Sequence, residues 1–293
     1  MILWIPVTAG AAALQVARNA AQRNLLEGAG PWGATLVRFL FGLPFSLAFA
    51  SVAWIASPGA RLAFGGHWLS ACAIGAAAQI GATAALLVCM RRSSFAIGSV
   101  LQQSSIPLAA LVGLALGEPL APAAWLGLAV VAMGLAVLGW PRRGAIVADW
   151  SPVVLGLAAG AGFAVASNAY RQGALALAHG EALLAAQVTV VTVQAMQSAV
   201  LLAMMIAFDR RRLRLALGAW RTSVLAGFFG AAASGLWFTA FALAPAGPVR
   251  AVGAVETPLA ALVGRRIFAE RLAPWRIAVA LITAAGVVLA ALG

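Results

Sequence analysis

The chain alternates between long apolar stretches and short breaks that contain Pro, Gly, Ser or Arg. As a helix, a stretch of about 20 residues crosses roughly 30 Å of hydrocarbon. The pattern therefore predicts an all-α integral membrane protein with ten transmembrane helices. The predicted helices are residues 2–25, 31–57, 67–90, 94–117, 122–140, 152–177, 182–208, 219–243, 247–268 and 274–292.

An internal repeat relates the two halves. The segment PLAALVG stands at residues 107–113 and again at 258–264, and Glu-x-Leu-Ala-Pro follows at 118–122 and 270–274. Each half holds five predicted helices, an odd number, so the second repeat must be inverted in the membrane. Inverted repeats are typical of secondary transporters, which hold substrate between the repeats. We expect an N-terminal repeat over 1–145 and a C-terminal repeat over 150–293, arranged around a central cavity.

Composition supports the membrane interpretation. The chain is 63% hydrophobic and 9% charged, whereas a soluble domain carries roughly 25% charged residues. The net charge of +12 comes from 19 arginines, which cluster in short loops as in membrane proteins. We expect the lipid bilayer, and no nucleic acid, as a partner. Without a C-x-x-C motif or a His/Cys cluster, we expect no metal and no cofactor. The apolar start lacks the features of a cleaved signal peptide, so the first helix is expected to remain.

The arginines fall unequally on the two predicted membrane faces. The face that holds both termini carries Arg61, Arg171 and Arg250. The opposite face carries Arg23, Arg91, Arg92, Arg142, Arg143, Arg210, Arg211, Arg212, Arg214, Arg221, Arg265, Arg266, Arg271 and Arg276. The positive-inside rule then predicts a multi-pass protein of a bacterial-type inner membrane with both termini extracytoplasmic.

A polar stripe runs along the first predicted helix. Gln15, Arg18, Asn19 and Gln22 follow i, i+3, i+4, i+7 spacing and share one face. Because Arg facing lipid costs about 2.5–3.5 kcal/mol, the stripe should face the bundle interior. It either holds helices together by hydrogen bonds or lines a water-filled substrate path.

Glu256 is the one acidic residue placed inside a predicted helix rather than at an end or in a loop. A buried ionised carboxylate is costly, so unless paired it takes up a proton. Glu256 could then exchange protons, or when charged receive a substrate ammonium. The alternative is a structural ion pair with Arg250 or Arg38. The repeat aligns Glu256 with the neutral Ser105.

Further candidates lie on other predicted helices. Candidate binding residues are Arg38, Asn168, Gln102 and Gln103. Pro107 and Pro258 are expected to kink their helices and to free the carbonyls of Gln103 and Ala254 for neighbours, water or ligand.

Three features of the chain resemble the EamA-type branch of the drug/metabolite transporter superfamily. They are the Pro107 and Pro258 segments, the Gly-Glu and Ala-Glu turns after them, and the Gly-rich last helix of each half. Arg38 also fits that pattern, and the resemblance covers nearly the whole chain. It implies ten helices and export of amino acids or other small metabolites. Relatives carry nucleotide sugars or cationic drugs, and members usually have both termini inside, contrary to the arginine distribution.

We therefore expect a secondary transporter, an exporter of small amino-acid-like solutes working by alternating access as a monomer or homodimer. The alternative is proton-coupled efflux of lipophilic cations, which requires an intramembrane carboxylate and aromatic walls. The single Tyr and the Trp residues near helix ends argue against an aromatic cage. No Ser/His, His-x-x-x-His or paired-carboxylate arrangement supports an intramembrane enzyme.

Overall fold

The computed structural model describes residues 3–139, 150–178 and 180–267, with residues 279, 282, 285, 286 and 289 of the last predicted helix. Within these residues the backbone forms helices and no strand. The first half contains α1 Trp4–Asn24, α2 Leu26–Leu40, α3 Leu43–Ala56, α4 Gly66–Arg92, α5 Phe95–Leu101, the 3-10 helix η1 Gln102–Ser104, α6 Ser105–Ala115 and α7 Pro122–Gly139. The second half contains α8 Ser151–Leu177, α9 Ala182–Phe208, α10 Arg210–Gly218, α11 Trp220–Leu243, α12 Ala246–Val252, the 3-10 helix η2 Gly253–Val255 and α13 Glu256–Ile267.

Six helical segments of the described chain are long and apolar enough to cross a membrane. They are Leu26–Ala56, Gly66–Arg92, Ile97–Ala115, Ser151–Leu177, Ala182–Phe208 and Trp220–Leu243. Large apolar side chains point outwards, among them Phe208, which is 86% exposed. Such side chains are stable in lipid, since hydrocarbon replaces the protein core as their surroundings. The chain is therefore an all-α, membrane-embedded protein.

The helix boundaries differ from the predicted ones in several places. The second predicted helix begins earlier, at Leu26, with a break at Gly30 (φ +66°) before Pro31 and a second break ahead of α3. Residues 210–218, expected in a loop, form α10, because the Asp209 side chain accepts a hydrogen bond from the N–H of Arg212 and caps the helix. The last predicted helix, 274–292, and Glu270 lie outside the continuously described segments.

The repeated sequence folds alike in both halves. Each of α5, η1 and α6 begins 151 residues before its counterpart in α12, η2 and α13. Pro107 and Pro258 therefore lie in the first turn of α6 and α13, where the missing N–H costs little. The carbonyls of Gln103 and Ala254, which lose the proline donor, were expected to be satisfied by neighbours, water or ligand, and neighbouring backbone groups satisfy them. They accept the N–H groups of Ser105 and Glu256, because the chain tightens into a 3-10 turn before each proline.

The two most extensive helix contacts join α4 to α8 and α1 to α11. Each of these contacts links the two halves, and in the predicted repeat α1 would correspond to α8 and α4 to α11. Small residues permit the close approach: a Cβ on Gly162 of α8 would lie 3.0 Å from the carbonyl oxygen of Ala78 on α4. Polar residues of α1 and α8 lie buried inside the bundle.

Candidate functional site

Glu256 lies at the start of α13, is 1% exposed, and is surrounded by side-chain amides. Its Oε1 accepts hydrogen bonds from Gln102 Nε2 (2.6 Å) and Asn19 Nδ2 (3.2 Å). Its Oε2 accepts from Gln15 Nε2 (2.6 Å) and Gln103 Nε2 (3.4 Å). These four donors match the roughly four lone-pair positions of an ionised carboxylate. The arrangement is thus built around a charged Glu256.

Arg18 neutralises this carboxylate indirectly. Its Nη2 and Nε donate to Asn19 Oδ1 (2.6 and 3.2 Å), and its Nη1 donates to Gln15 Oε1 (3.4 Å). The same two amides donate to Glu256, so each bridges a guanidinium to a carboxylate. Arg18 and Glu256 also attract each other electrostatically. We call Glu256, Arg18, Gln15, Asn19, Gln102 and Gln103 the Glu256 cluster.

The cluster brings together five of the predicted site residues with Glu256 as its centre. The first-helix stripe faces the bundle interior, as its spacing predicted, although Gln22 instead donates to the carbonyl of Ala34 (2.8 Å) and ties α1 to α2. Gln15 and Asn19 form hydrogen bonds between helices, while Arg18 bonds to these two amides within α1, which fits the packing interpretation of the stripe. A solvated path along them remains a prediction.

The 3-10 turn η1 directs Gln102 and Gln103 towards Glu256. A 3-10 turn is tighter than an α turn, and η1 is packed closely against α8. A Cβ on Gly160 would overlap the Ser104 side chain and would lie 2.9 Å from the Ser105 nitrogen. Glycine at this position is therefore required for α8 to hold η1 in place.

The structural ion pair expected as the alternative role of Glu256 is not formed by direct contact, although Arg250 attracts Glu256 electrostatically. Among the described residues, neither Arg250 nor Arg38 lies within salt-bridge distance of Glu256. Arg38 on α2 donates Nη1 to Thr83 Oγ1 (2.9 Å), and its guanidinium lies 4.8 Å from the ring of Phe39. Arg38 is thus buried outside the Glu256 cluster.

Asn168 also lies outside the cluster. Its Nδ2 donates to the carbonyls of Ala109 and Ala164, each at 3.0 Å. The first of these bonds connects α8 to α6. The contacts of Asn168 are therefore those of a residue that packs two helices together, and its predicted role in substrate binding gains no contact in support.

Arg250 on α12 forms a second site. Its Nε donates to Ser167 Oγ (2.9 Å), and its guanidinium carbon lies 5.3 Å from the Phe163 ring centroid and 5.1 Å from that of Trp237. Beside it is a cavity of about 20 Å³, enough for the centre of one water molecule. We call it the Arg250 cavity; it is lined by Gln15, Gln79, Phe163, Ala166, Ser167, Tyr170, Ser234, Trp237, Phe238, Phe241 and Arg250.

Aromatic rings meet inside the bundle, although the aromatic residues of the sequence argued against a cage around a cation. Tyr170 stacks on Phe238 with ring centroids 3.9 Å apart, and Trp237 stacks on Phe241 at 5.6 Å. All four rings line the Arg250 cavity. A count of aromatic residues could not reveal this, because the rings come from α8 and α11 and meet only through helix packing. The position of Trp237 in the middle of the eighth predicted helix was the available signal.

Two functional candidates were missed in the sequence. Arg250 was counted as a loop arginine, although it lies inside the ninth predicted helix, six residues before Glu256. Arg171 was assigned to a membrane face and Glu118 to a helix end or loop, and their pairing was not foreseen: they form an ion pair at 2.7 Å, and Arg171 Nη1 donates to the carbonyl of Phe241 (2.8 Å). In the described part of the chain, no group of three or more His, Cys, Asp or Glu could hold a metal ion.

Comparison with known proteins gives a fold and no family. No family model matches the chain, and no curated protein matches its sequence. Sixteen chains of solved structures do match in fold. One of them, described only as the crystal structure of a protein, has a TM-score of 0.61 and 17% sequence identity, covering 98% of this chain and 96% of its own. At that identity, the likeness concerns the fold alone.

Proposed function

We propose that the protein is a secondary transporter that exports small amino-acid-like metabolites by alternating access. The observation that carries this proposal is the Glu256 cluster, in which a buried carboxylate of the second half is bound by α1 and η1 of the first. Ionisable groups inside a membrane protein are costly and commonly serve substrate or proton movement. The resemblance to EamA-type transporters supports the same function.

The proposed architecture is ten transmembrane helices in two inverted five-helix repeats, over 1–145 and 150–293, around a central cavity. Two observations support it: the matching order of α5–η1–α6 and α12–η2–α13, and the paired contacts of α4 with α8 and α1 with α11. In transporters of this kind the substrate lies between the repeats. The Arg250 cavity, lined by residues from both halves, is the proposed substrate site.

Proton-coupled efflux of lipophilic cations is the second candidate, favoured by the aromatic lining of the Arg250 cavity. However, the guanidinium of Arg250 already lies against Phe163 and Trp237. A cationic substrate at the same rings would be repelled by it. We therefore prefer a metabolite that carries a negative group.

Purified protein in proteoliposomes tests transport. We expect saturable flux and counterflow for at least one member of a panel of labelled amino acids and related metabolites, with a rate that changes when a pH gradient is imposed. Empty liposomes and heat-inactivated protein are the controls. If folded protein gives no flux above these controls for any solute, the proposal is wrong.

The proposed location is a bacterial-type inner membrane, with both termini extracytoplasmic and the arginine-rich face, including α10, in the cytoplasm. Reporter fusions at Gly293 should be active only outside the cytoplasm. A fusion active only in the cytoplasm would reverse the orientation and leave the fold and the transport proposal unaffected.

A further inference from the structure

The described interior holds more positive than negative charge. The buried charged residues there are Arg18, Arg38, Arg250 and Glu256. Arginine stays protonated in proteins, so three cations accompany one possible anion. Glu256 is already bridged to Arg18 by two amides. A buried charge without a partner is strongly destabilising, so this interior favours the entry of an anion.

Arg250 is the cation best arranged to bind one. It is 7% exposed and lines the Arg250 cavity. Ser167 binds its Nε, and its two terminal nitrogens make no hydrogen bond to any residue in the described part of the chain. Phe163 and Trp237 contact the guanidinium and restrict its orientation. A planar guanidinium with free terminal N–H groups binds a carboxylate through two parallel hydrogen bonds.

The rest of the cavity surface is suited to an apolar body. Tyr170, Trp237, Phe238 and Phe241 supply the rings, and Gln15 and Gln79 supply amides. The described conformation is closed, because a cavity of about 20 Å³ admits little more than one water molecule. A larger molecule can enter only when α8 and α11, which carry these rings, move apart.

We propose that Arg250 binds the carboxylate of the transported substrate, and that the substrates are small organic carboxylates, anionic or zwitterionic, with an aromatic or apolar body. This inference rests on the proposed transport function. Glu256 plays no part in holding a substrate ammonium, since four amide donors occupy its oxygens. The carboxylate, and not the amine, determines binding.

Three probes with one ring test this directly: 3-phenylpropionate (anion), phenylalanine (zwitterion) and phenethylamine (cation). Binding to purified protein is measured by the rise in unfolding temperature with ligand concentration. We expect 3-phenylpropionate and phenylalanine to bind and phenethylamine to bind at least tenfold more weakly. Equal or tighter binding of phenethylamine, or no binding of 3-phenylpropionate at millimolar concentration, would overturn the inference.

Arg250→Gln should raise the Kd for 3-phenylpropionate at least tenfold, while Arg221→Gln, a matched change at an exposed arginine beside Trp220, should leave it within twofold. Ser167→Ala retains the charge of Arg250 and removes the acceptor of its Nε, together with the Ser167 hydrogen bond to the Phe163 carbonyl. It should raise the Kd severalfold, and it covers the case in which Arg250→Gln fails to fold. Unchanged affinity in either variant contradicts the assignment.

Counterflow in proteoliposomes separates this inference from the transport proposal. Arg250-dependent binding of 3-phenylpropionate without any counterflow would refute transport and keep the carboxylate site. Suppose instead that another solute shows counterflow, that Arg250→Gln leaves this counterflow unchanged, and that phenethylamine inhibits it better than 3-phenylpropionate does. That result would support transport and refute the carboxylate site.

Discussion

Arg18 and Glu256 should behave as a coupled pair although they share no direct hydrogen bond. Glu256→Gln replaces one carboxylate oxygen with an amide N–H₂ group, which then faces two donors instead of accepting from them. The two donors are Asn19 and Gln102 if Oε1 is replaced, or Gln15 and Gln103 if Oε2 is replaced. It also leaves Arg18 as a buried charge without its counterion. Removing one partner of a buried pair costs about 3–5 kcal/mol. We expect a loss of that size from Glu256→Gln alone and a similar loss from Arg18→Gln.

The double variant Arg18→Gln/Glu256→Gln removes both charges and leaves only neutral amides. The double variant should therefore lose about 2 kcal/mol less stability than the two single losses added together. A coupling energy of that size is usual for residues in one network. The assay is reversible unfolding in mixed micelles, followed by tryptophan fluorescence. As a control, Arg38→Gln removes a buried arginine that contacts Thr83 and Phe39.

Combined with Glu256→Gln, the Arg38 change should be additive to within about 0.5 kcal/mol. If the stability losses of Arg18→Gln and Glu256→Gln are also additive, the two residues have no interaction energy. In that case the cluster is a set of independent hydrogen bonds, and the electrostatic argument for its function is refuted.

Three further predictions concern the same region. Glu256→Gln, in whatever fraction remains folded, should abolish the pH dependence of counterflow, and survival of that dependence makes Glu256 structural. Asn19→Leu removes a hydrogen bond to Glu256 and the acceptor of Arg18, so it should lower stability by about 1.5–3 kcal/mol and also impair transport by the protein that remains folded; normal transport by that folded fraction would instead favour a packing role. Gly160→Ala should lower stability by about 1–3 kcal/mol because its Cβ overlaps η1. The control Gly81→Ala, with no atom within 4 Å of the added Cβ, should be neutral or stabilising. Thermal unfolding measures both.

The six membrane-length helices of the described chain were predictable because apolar length alone separates a membrane-spanning helix from a loop. The division of the fourth and ninth predicted helices was only partly predictable: Pro107 and Pro258 indicated a disturbance, but the tightening into η1 and η2 depends on contacts such as Gly160 with Ser104. α10 was missed because its four arginines resemble a loop, although Asp209 caps the helix.

The site was predicted unevenly for a similar reason. The i, i+3, i+4 spacing of Gln15, Arg18 and Asn19 indicates a shared face on one helix. That these side chains meet Glu256 is a property of the packing between the halves, which the sequence pattern does not encode. Arg250 shows the same limit, since its aromatic neighbours Phe163 and Trp237 belong to α8 and α11.

Every hydrogen bond to the Glu256 carboxylate crosses from the first half of the chain to the second. Gln15 and Asn19 come from α1, Gln102 and Gln103 from η1, and the acceptor begins α13. Since a hydrogen bond to a charged group contributes about 1.5–3 kcal/mol, sliding α13 away from α1 and η1 cannot proceed by small, independent losses. The carboxylate therefore holds the two halves together, and its four hydrogen bonds break together or remain formed together.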